Sequence, residues 1–229
     1  MGNYLIVSGH HGTTGAVAQG YIEEVMTQGL ANKVVAELIR MGHQAEEANF
    51  NLYEYLDRFG VTQDLMQYDF ILEIHLNSSG GKGAYGAEIF VAPGVEQIEI
   101  PKRIISKLSQ FYIIRNTDKI EDGVNFEKYH ILEKLKGKQE VALLEVGFID
   151  SKTDMLTFVN DHNEIAIAIA HGITGEQANI SWRAPYGKIY AVRVGSAKIK
   201  KNAERMERIA KERRFKDAYI ELVPYSKES

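Results

Sequence analysis

The sequence contains no cysteine. That excludes a disulfide framework and a thiolate metal site, though it assigns no compartment by itself. No apolar run is long enough to cross a bilayer, so no membrane insertion is expected. The opening Met1-Gly2-Asn3-Tyr4 has neither a basic n-region nor a long apolar h-region. No signal peptide is read there, and the chain is expected to be cytoplasmic at synthesis. Myristoylation at Gly2 is discarded because Ile6 stands where Ser or Thr is required. The net charge is −4 and no basic patch lies outside the C-terminal tail, which speaks against nucleic acid as the main partner. The glycine-rich stretch Ser8–Gly15 is not GxGxxG and no GK[ST] follows it, so a phosphate cradle is not expected.

What is present is a chain of 229 residues with ordinary apolar and charged content, enough for one good core and a small appendage. The periodicities alternate between strand and helix, the mark of an α/β fold. Tyr4–Val7 is a short strand opening into Ser8-Gly9-His10-His11-Gly12. A helix is predicted from about Ile22 to Met41, with Ile22, Met26, Leu30, Val34 and Leu38 as its buried stripe and Gly42 at its C-terminal end. His43–Asn49 is a weak strand, and Asn51–Met66 holds one or two helices broken near Gly60. Phe70–His75 is a buried strand running into Leu76-Asn77 and the turn residues Ser78-Ser79-Gly80-Gly81. Ala87–Val91 is a strand stopped by Pro93-Gly94, and a helix begins near Pro101. Val141–Leu144 is a second buried strand, ending in Glu145, and a helix follows around Asp161–Gly172. Residues 112–140 give no clear period.

His75 sits at the carboxyl end of its strand, where open α/β sheets place their ligands. His10 ends the first strand. At about 100° per residue, Glu23 falls in the middle of the apolar stripe of its helix, and Glu24 falls at the edge. A carboxylate there is costly unless paired or metal-bound. The competing reading is a first-turn glutamate favoured by the helix dipole. Two imidazoles and a carboxylate from three elements suit a catalytic zinc with one open position for water. Glu145, on a different buried strand, can take a proton and return it to a leaving amine.

These stretches resemble the motifs of the zinc-dependent N-acetylmuramoyl-L-alanine amidases. Ser8-Gly9-His10, Glu23 at a helix start, Glu73-Ile74-His75-Leu76-Asn77 and Leu144-Glu145-Val146-Gly147-Phe148-Ile149 occur in the family's order, over about Tyr4–Gly175. The resemblance implies a three-layer α/β/α domain with a mixed central sheet. It implies Zn2+ held by His10, Glu23 and His75, with Glu145 as acid/base. The implied substrate is peptidoglycan, cut between N-acetylmuramic acid and L-alanine of the stem peptide. Asn77 is implied in positioning loop or substrate. Two departures stand out: Val7 and Ser8 occupy places where the family commonly has an acidic residue, and His11 replaces a small residue. His11 either competes as a ligand or lines the substrate cleft. His130 is a further histidine that could reach the substrate.

The domain reading is 1–176 for the catalytic domain, 177–188 for a linker and 189–229 for a small β-α-β unit. That unit resembles half of a SPOR-type peptidoglycan-binding domain, and its basic helix suits an anionic wall polymer. Half a domain seldom folds alone, so the unit is expected either to dock on the catalytic domain or to pair with a second copy, and pairing into a homodimer is the favoured expectation. The forms without a signal peptide resemble phage endolysins, which sets the expected role as host lysis. The alternatives are a zinc peptidase cutting within the stem peptide, a host autolysin or sporulation amidase, and a non-catalytic wall-binding protein.

Overall fold

Strand β5, Phe70–Asn77, lies third in a seven-stranded sheet and carries the histidine on which the sequence reading centred. A computed structural model describes residues 1–48, 50–115, 120–121 and 123–176. The linker, the β-α-β unit and its pairing, expected at 177–229, lie outside the described residues.

Parallel partners flank β5. β1 (Asn3–Ser8) lies on one side and β9 (Val141–Phe148) on the other. Beyond β1 comes β4 (Gln44–Glu47), also parallel. Beyond β9 the sheet becomes mixed. β6 (Glu88–Val91) runs antiparallel to β9, β8 (Val124–Phe126) runs parallel to β6, and β7 (Ile120–Glu121) closes the edge antiparallel to β8. A separate two-stranded ladder, β2 (Val17–Ala18) with β3 (Tyr21–Ile22), leads into the first helix.

Because side chains alternate along a strand, each central strand feeds two cores. Tyr4 and Ile6 of β1, Phe70, Leu72, Ile74 and Leu76 of β5, and Ala142, Leu144 and Val146 of β9 pack on one face. They meet α1 (Glu23–Arg40), α4 (Glu99–Leu108), α6 (Lys152–Asn160) and α7 (His162–Thr174). The opposite phase, Leu5, Val7, Ile71, Val141 and Leu143, meets α2 (Leu52–Phe59), α3 (Gln63–Met66) and α5 (His130–Leu135). This is the expected three-layer α/β/α arrangement around a mixed sheet.

Three details correct the sequence expectations. Ile22, expected in the buried stripe, is 37% exposed, because the helix starts at Glu23 and Ile22 belongs to the small ladder. β9 does not end at Glu145 but runs on to Phe148. Helix α6 was not expected. It is short, capped by Ser151, whose side chain accepts from the Asp154 amide, and only Met155 and Phe158 supply its apolar anchor. Gly42, with φ 92°, ends α1 as read: its amide bonds Ile39 O and that of His43 bonds Leu38 O, the paired pattern of a Schellman cap.

Candidate active site

The site forms where the α2/α5 face of the sheet stops being apolar. On β5 the phase of Ile71 continues through Glu73 and His75, and on β9 the phase of Leu143 continues to Glu145. His75 and Glu145 are direct register partners across β5 and β9, and Glu88 is the partner of Glu145 across β6. A register shift between His75 and Asn77 then ends the regular pairing.

His10 reaches the same place from the end of β1. The Gly9 amide extends the ladder to Ile74 O at 2.8 Å. His10 then takes a left-handed φ of 62°, and its carbonyl accepts from both the Thr13 amide and the Thr13 hydroxyl. The turn is tied to α1, where Thr27 Oγ1 donates to Gly9 O and Glu24 Oε1 accepts from the Gly12 amide at 2.8 Å. Glycine is required at two points for lack of space. A Cβ on Gly9 would stand 2.5 Å from the His75 ring. On Gly15 it would stand 2.6 Å from His10 Cδ2 and 2.7 Å from Glu23 Oε2. The glycines of this loop make room for imidazoles, which is what replaces a phosphate cradle.

Glu23 enters from the first turn of α1 and is 3% exposed. Its Oε1 lies 3.1 Å from His75 Nδ1 and accepts the Leu76 amide; its Oε2 lies 3.4 Å from His10 Nε2 and accepts the Ala16 amide. The His10 and His75 rings meet edge to face, with centroids 5.0 Å apart. Ligand atoms of His10, Glu23 and His75 lie within 4.8 Å of one another, so the three could hold one metal ion. The donor set and the glycine-walled cradle fit such an ion. Glu24, the neighbouring carboxylate, is occupied with the Gly12 amide and points elsewhere.

The electrostatics follow from burial. Burial alone would push the Glu23 carboxyl up, but hydrogen bonds from His75 and from the Ala16 and Leu76 amides outweigh it and hold Glu23 below the usual carboxylate value. Burial opposes charging of His75, yet Glu73 and Glu23 beside it hold the imidazole well above its ordinary value. Glu145 is pushed up to about 8 by burial, restrained by His75 and helped by Glu23, Glu88 and Glu73. Its Oε2 is buried without a hydrogen-bond partner.

The other sequence candidates separate. Asn77 Nδ2 donates to Glu88 Oε2 at 3.0 Å, and Arg115 Nε lies 3.4 Å from Glu88 Oε1, so Asn77 braces the sheet beside Glu145. His11 is outside the His10–Glu23–His75 group; its carbonyl faces Asn51 Nδ2. A cleft of about 430 Å³ opens over the group, floored by His10, Glu73 and His75 and walled by Tyr53, Tyr129 and His130. His130 is tied into that wall by Asp57 at 2.8 Å and by the Tyr53 ring, centroids 4.2 Å apart. Sequence reasoning missed Glu73, Tyr53 and Tyr129. It also missed two aspartates that pin the β5–β6 loop: Asp150 accepts from Ser79 and Gly81, and Asp154 accepts from Gly86 and Phe148. The helix-start pattern Ser151-x-x-Asp154 was the available signal for the second.

A family model described as N-acetylmuramoyl-L-alanine amidase matches residues 5–175. The chain belongs to that family. It is an amidase of peptidoglycan and a hydrolase of the cell wall. A sporulation-specific N-acetylmuramoyl-L-alanine amidase of Bacillus subtilis is 25% identical over 222 residues, covering 94% of this chain and 83% of that one. That span cannot fit within 5–175 and therefore extends into the C-terminal region. The catalytic domain of an endolysin targeting Clostridia difficile shares the fold, with TM-score 0.63 at 22% identity, over 78% of this chain and all of that one. An N-acetylmuramyl-L-alanine amidase of Mycobacterium smegmatis does so with TM-score 0.61 at 18% identity, over 76% and 96%. Among the described residues no helix is long and apolar enough to cross a membrane.

Proposed function

We propose that this amidase uses zinc held by His10, Glu23 and His75, with Glu145 as its acid/base, to cut the amide between the lactyl group of N-acetylmuramic acid and L-alanine. The observation that carries the reading is the pairing of two features: three donors within 4.8 Å, and a partnerless carboxyl oxygen on the residue in register with one of them. Zinc bound there supplies a Lewis acid and water acidified towards a pKa of about 7. With the metal bound, Glu145 would be placed to take a proton from the attacking water and to return it to the departing L-alanine nitrogen. Burial raises the Glu145 carboxyl above its ordinary value, so it can hold a proton as well as release one. Glu23 is held by two amides, so its carboxylate is oriented before any ligand arrives. The aromatic wall of Tyr53 and Tyr129 orients the glycopeptide over the site, and His130 lines the same wall.

Digestion of purified cell walls tests this. The reading expects a new L-alanine amino terminus and loss of lysis on chelation. A cut further along the stem would make the protein a zinc peptidase instead, and no chelator-sensitive lysis would leave a wall-binding protein.

The biological setting has two readings. The endolysin likeness matches the catalytic region, whereas the sporulation-specific relative spans into the C-terminal segment as well. That favours a cell's own lytic amidase over the phage endolysin expected from the sequence. Expression confined to sporulating cells supports the former, and a holin gene beside the reading frame supports the latter. We assign the C-terminal segment 189–229 to wall binding through its basic residues and to pairing of two chains.

A further inference from the structure

Glu73 is absorbed by none of these roles. It lies on β5 two residues before His75, in the same phase, and is 4% exposed. Its Oε1 is 3.3 Å from His75 Nε2, and its Oε2 is buried with no hydrogen-bond partner. Among the described residues its ion-pair partner is His75 alone. A carboxylate buried to this degree is costly unless it is paired, so its place beside one imidazole calls for a reason.

The reason lies in the ring. A neutral imidazole has one N–H and one lone pair. In His75 both nitrogens face a carboxylate: Nε2 faces Glu73, and Nδ1 faces Glu23 at 3.1 Å. A metal-free imidazolium can donate to both, but a ring that gives one nitrogen to a metal is neutral and donates to one only. The two sides are not equivalent. Glu23 is shared with His10 and belongs to the three-donor group, whereas among the described residues the Glu73 carboxylate forms an ion pair with His75 only. A cation therefore fits on the Nδ1 side, and the proton remains on the Nε2 side.

Resting on the zinc site proposed above, we infer that Glu73 is a positioning residue: it accepts the Nε2–H of His75 and so presents Nδ1 to the metal. A carboxylate in this role fixes tautomer and ring orientation and raises the ligand's basicity, and its loss costs roughly 10- to 100-fold in metal affinity. Glu73 also adds a second negative charge beside Glu23, which together balance a dication.

The test uses the zinc-loaded full chain with 15N-labelled histidine. Long-range proton–nitrogen correlation is expected to show His75 protonated on Nε2 and metal-bound through Nδ1. Competition with a chromophoric chelator is expected to show Glu73→Leu binding zinc roughly 10- to 100-fold more weakly than wild type, with Glu73→Gln in between. If Glu73→Leu does not fold, Glu73→Gln decides, with circular dichroism of the metal-free protein as the folding control. Zinc on Nε2 in the wild type, or variants within about twofold of wild-type affinity, overturns the inference. A wild-type chain that binds no zinc is a separate result: it removes the metal site itself and the role of Glu73 with it.

Discussion

The two phases of one strand make the sharpest contrast in the molecule. Along β5, Phe70, Leu72, Ile74 and Leu76 face α1, α4 and α7, and all are apolar and buried. One residue out of step, Ile71 is followed by Glu73, His75 and Asn77. β9 repeats the contrast, with Ala142, Leu144 and Val146 on one side, and Val141 and Leu143 giving way to Glu145 on the other. The first phase is organised for stability and the second for chemistry, and the second is affordable because the first is complete. Buried carboxylates and an imidazole tolerate each other only where another face holds the sheet together.

That contrast can be broken from either side. The largest effect is expected at Glu145→Gln. Wall-cleavage rates should fall on the order of a hundred- to ten-thousand-fold while metal content stays at the wild-type level. Retention of more than about a tenth of the rate would remove Glu145 from the mechanism. The mirror experiment is Leu72→Ala, on the apolar phase one position away from Glu73. It should cost about 2–5 kcal/mol in denaturant unfolding and leave the zinc affinity of the folded protein unchanged. A weakened zinc site without lost stability would mean the two faces are not separable.

A smaller effect sharpens the comparison. In the metal-free protein Glu145 titrates near 8 when folded and near its ordinary 4.5 when unfolded. Between those values the native state holds a proton that the unfolded state has released, so stability falls as pH rises through the window. Glu145→Gln removes this dependence. Measured without metal, the variant should gain on wild type between pH 5 and pH 8, by on the order of 3–4 kcal/mol over that range. A constant gap across that range would show that the carboxyl is not held protonated by the fold.

Legibility in the sequence divided along similar lines. The long strands and α1 were plain because their periods run over many residues. The catalytic phase was visible at Glu23, because a carboxylate in the centre of an apolar stripe breaks a pattern strong enough to be broken. Glu73 enters the sequence reading only as part of the His75 motif and has no role of its own there, because the run from Phe70 to Leu76 does not say which side chain its carboxylate will face. α6 and the elements between 112 and 140 were missed for want of length. Strands of two and three residues and a helix with two buried anchors carry no measurable period. The Asp150 and Asp154 clamps depend on contacts about 70 residues away in the chain, which no local pattern encodes.

The central claim is that Glu23, and not its neighbour, completes the metal group. Metal content of purified Glu23→Ala and Glu24→Ala, set beside wild type, tests it most directly. Glu23→Ala should come out free of zinc. Glu24→Ala should carry the wild-type amount and lose only the cap on the Gly12 amide. Zinc retained by Glu23→Ala and lost from Glu24→Ala would contradict the site.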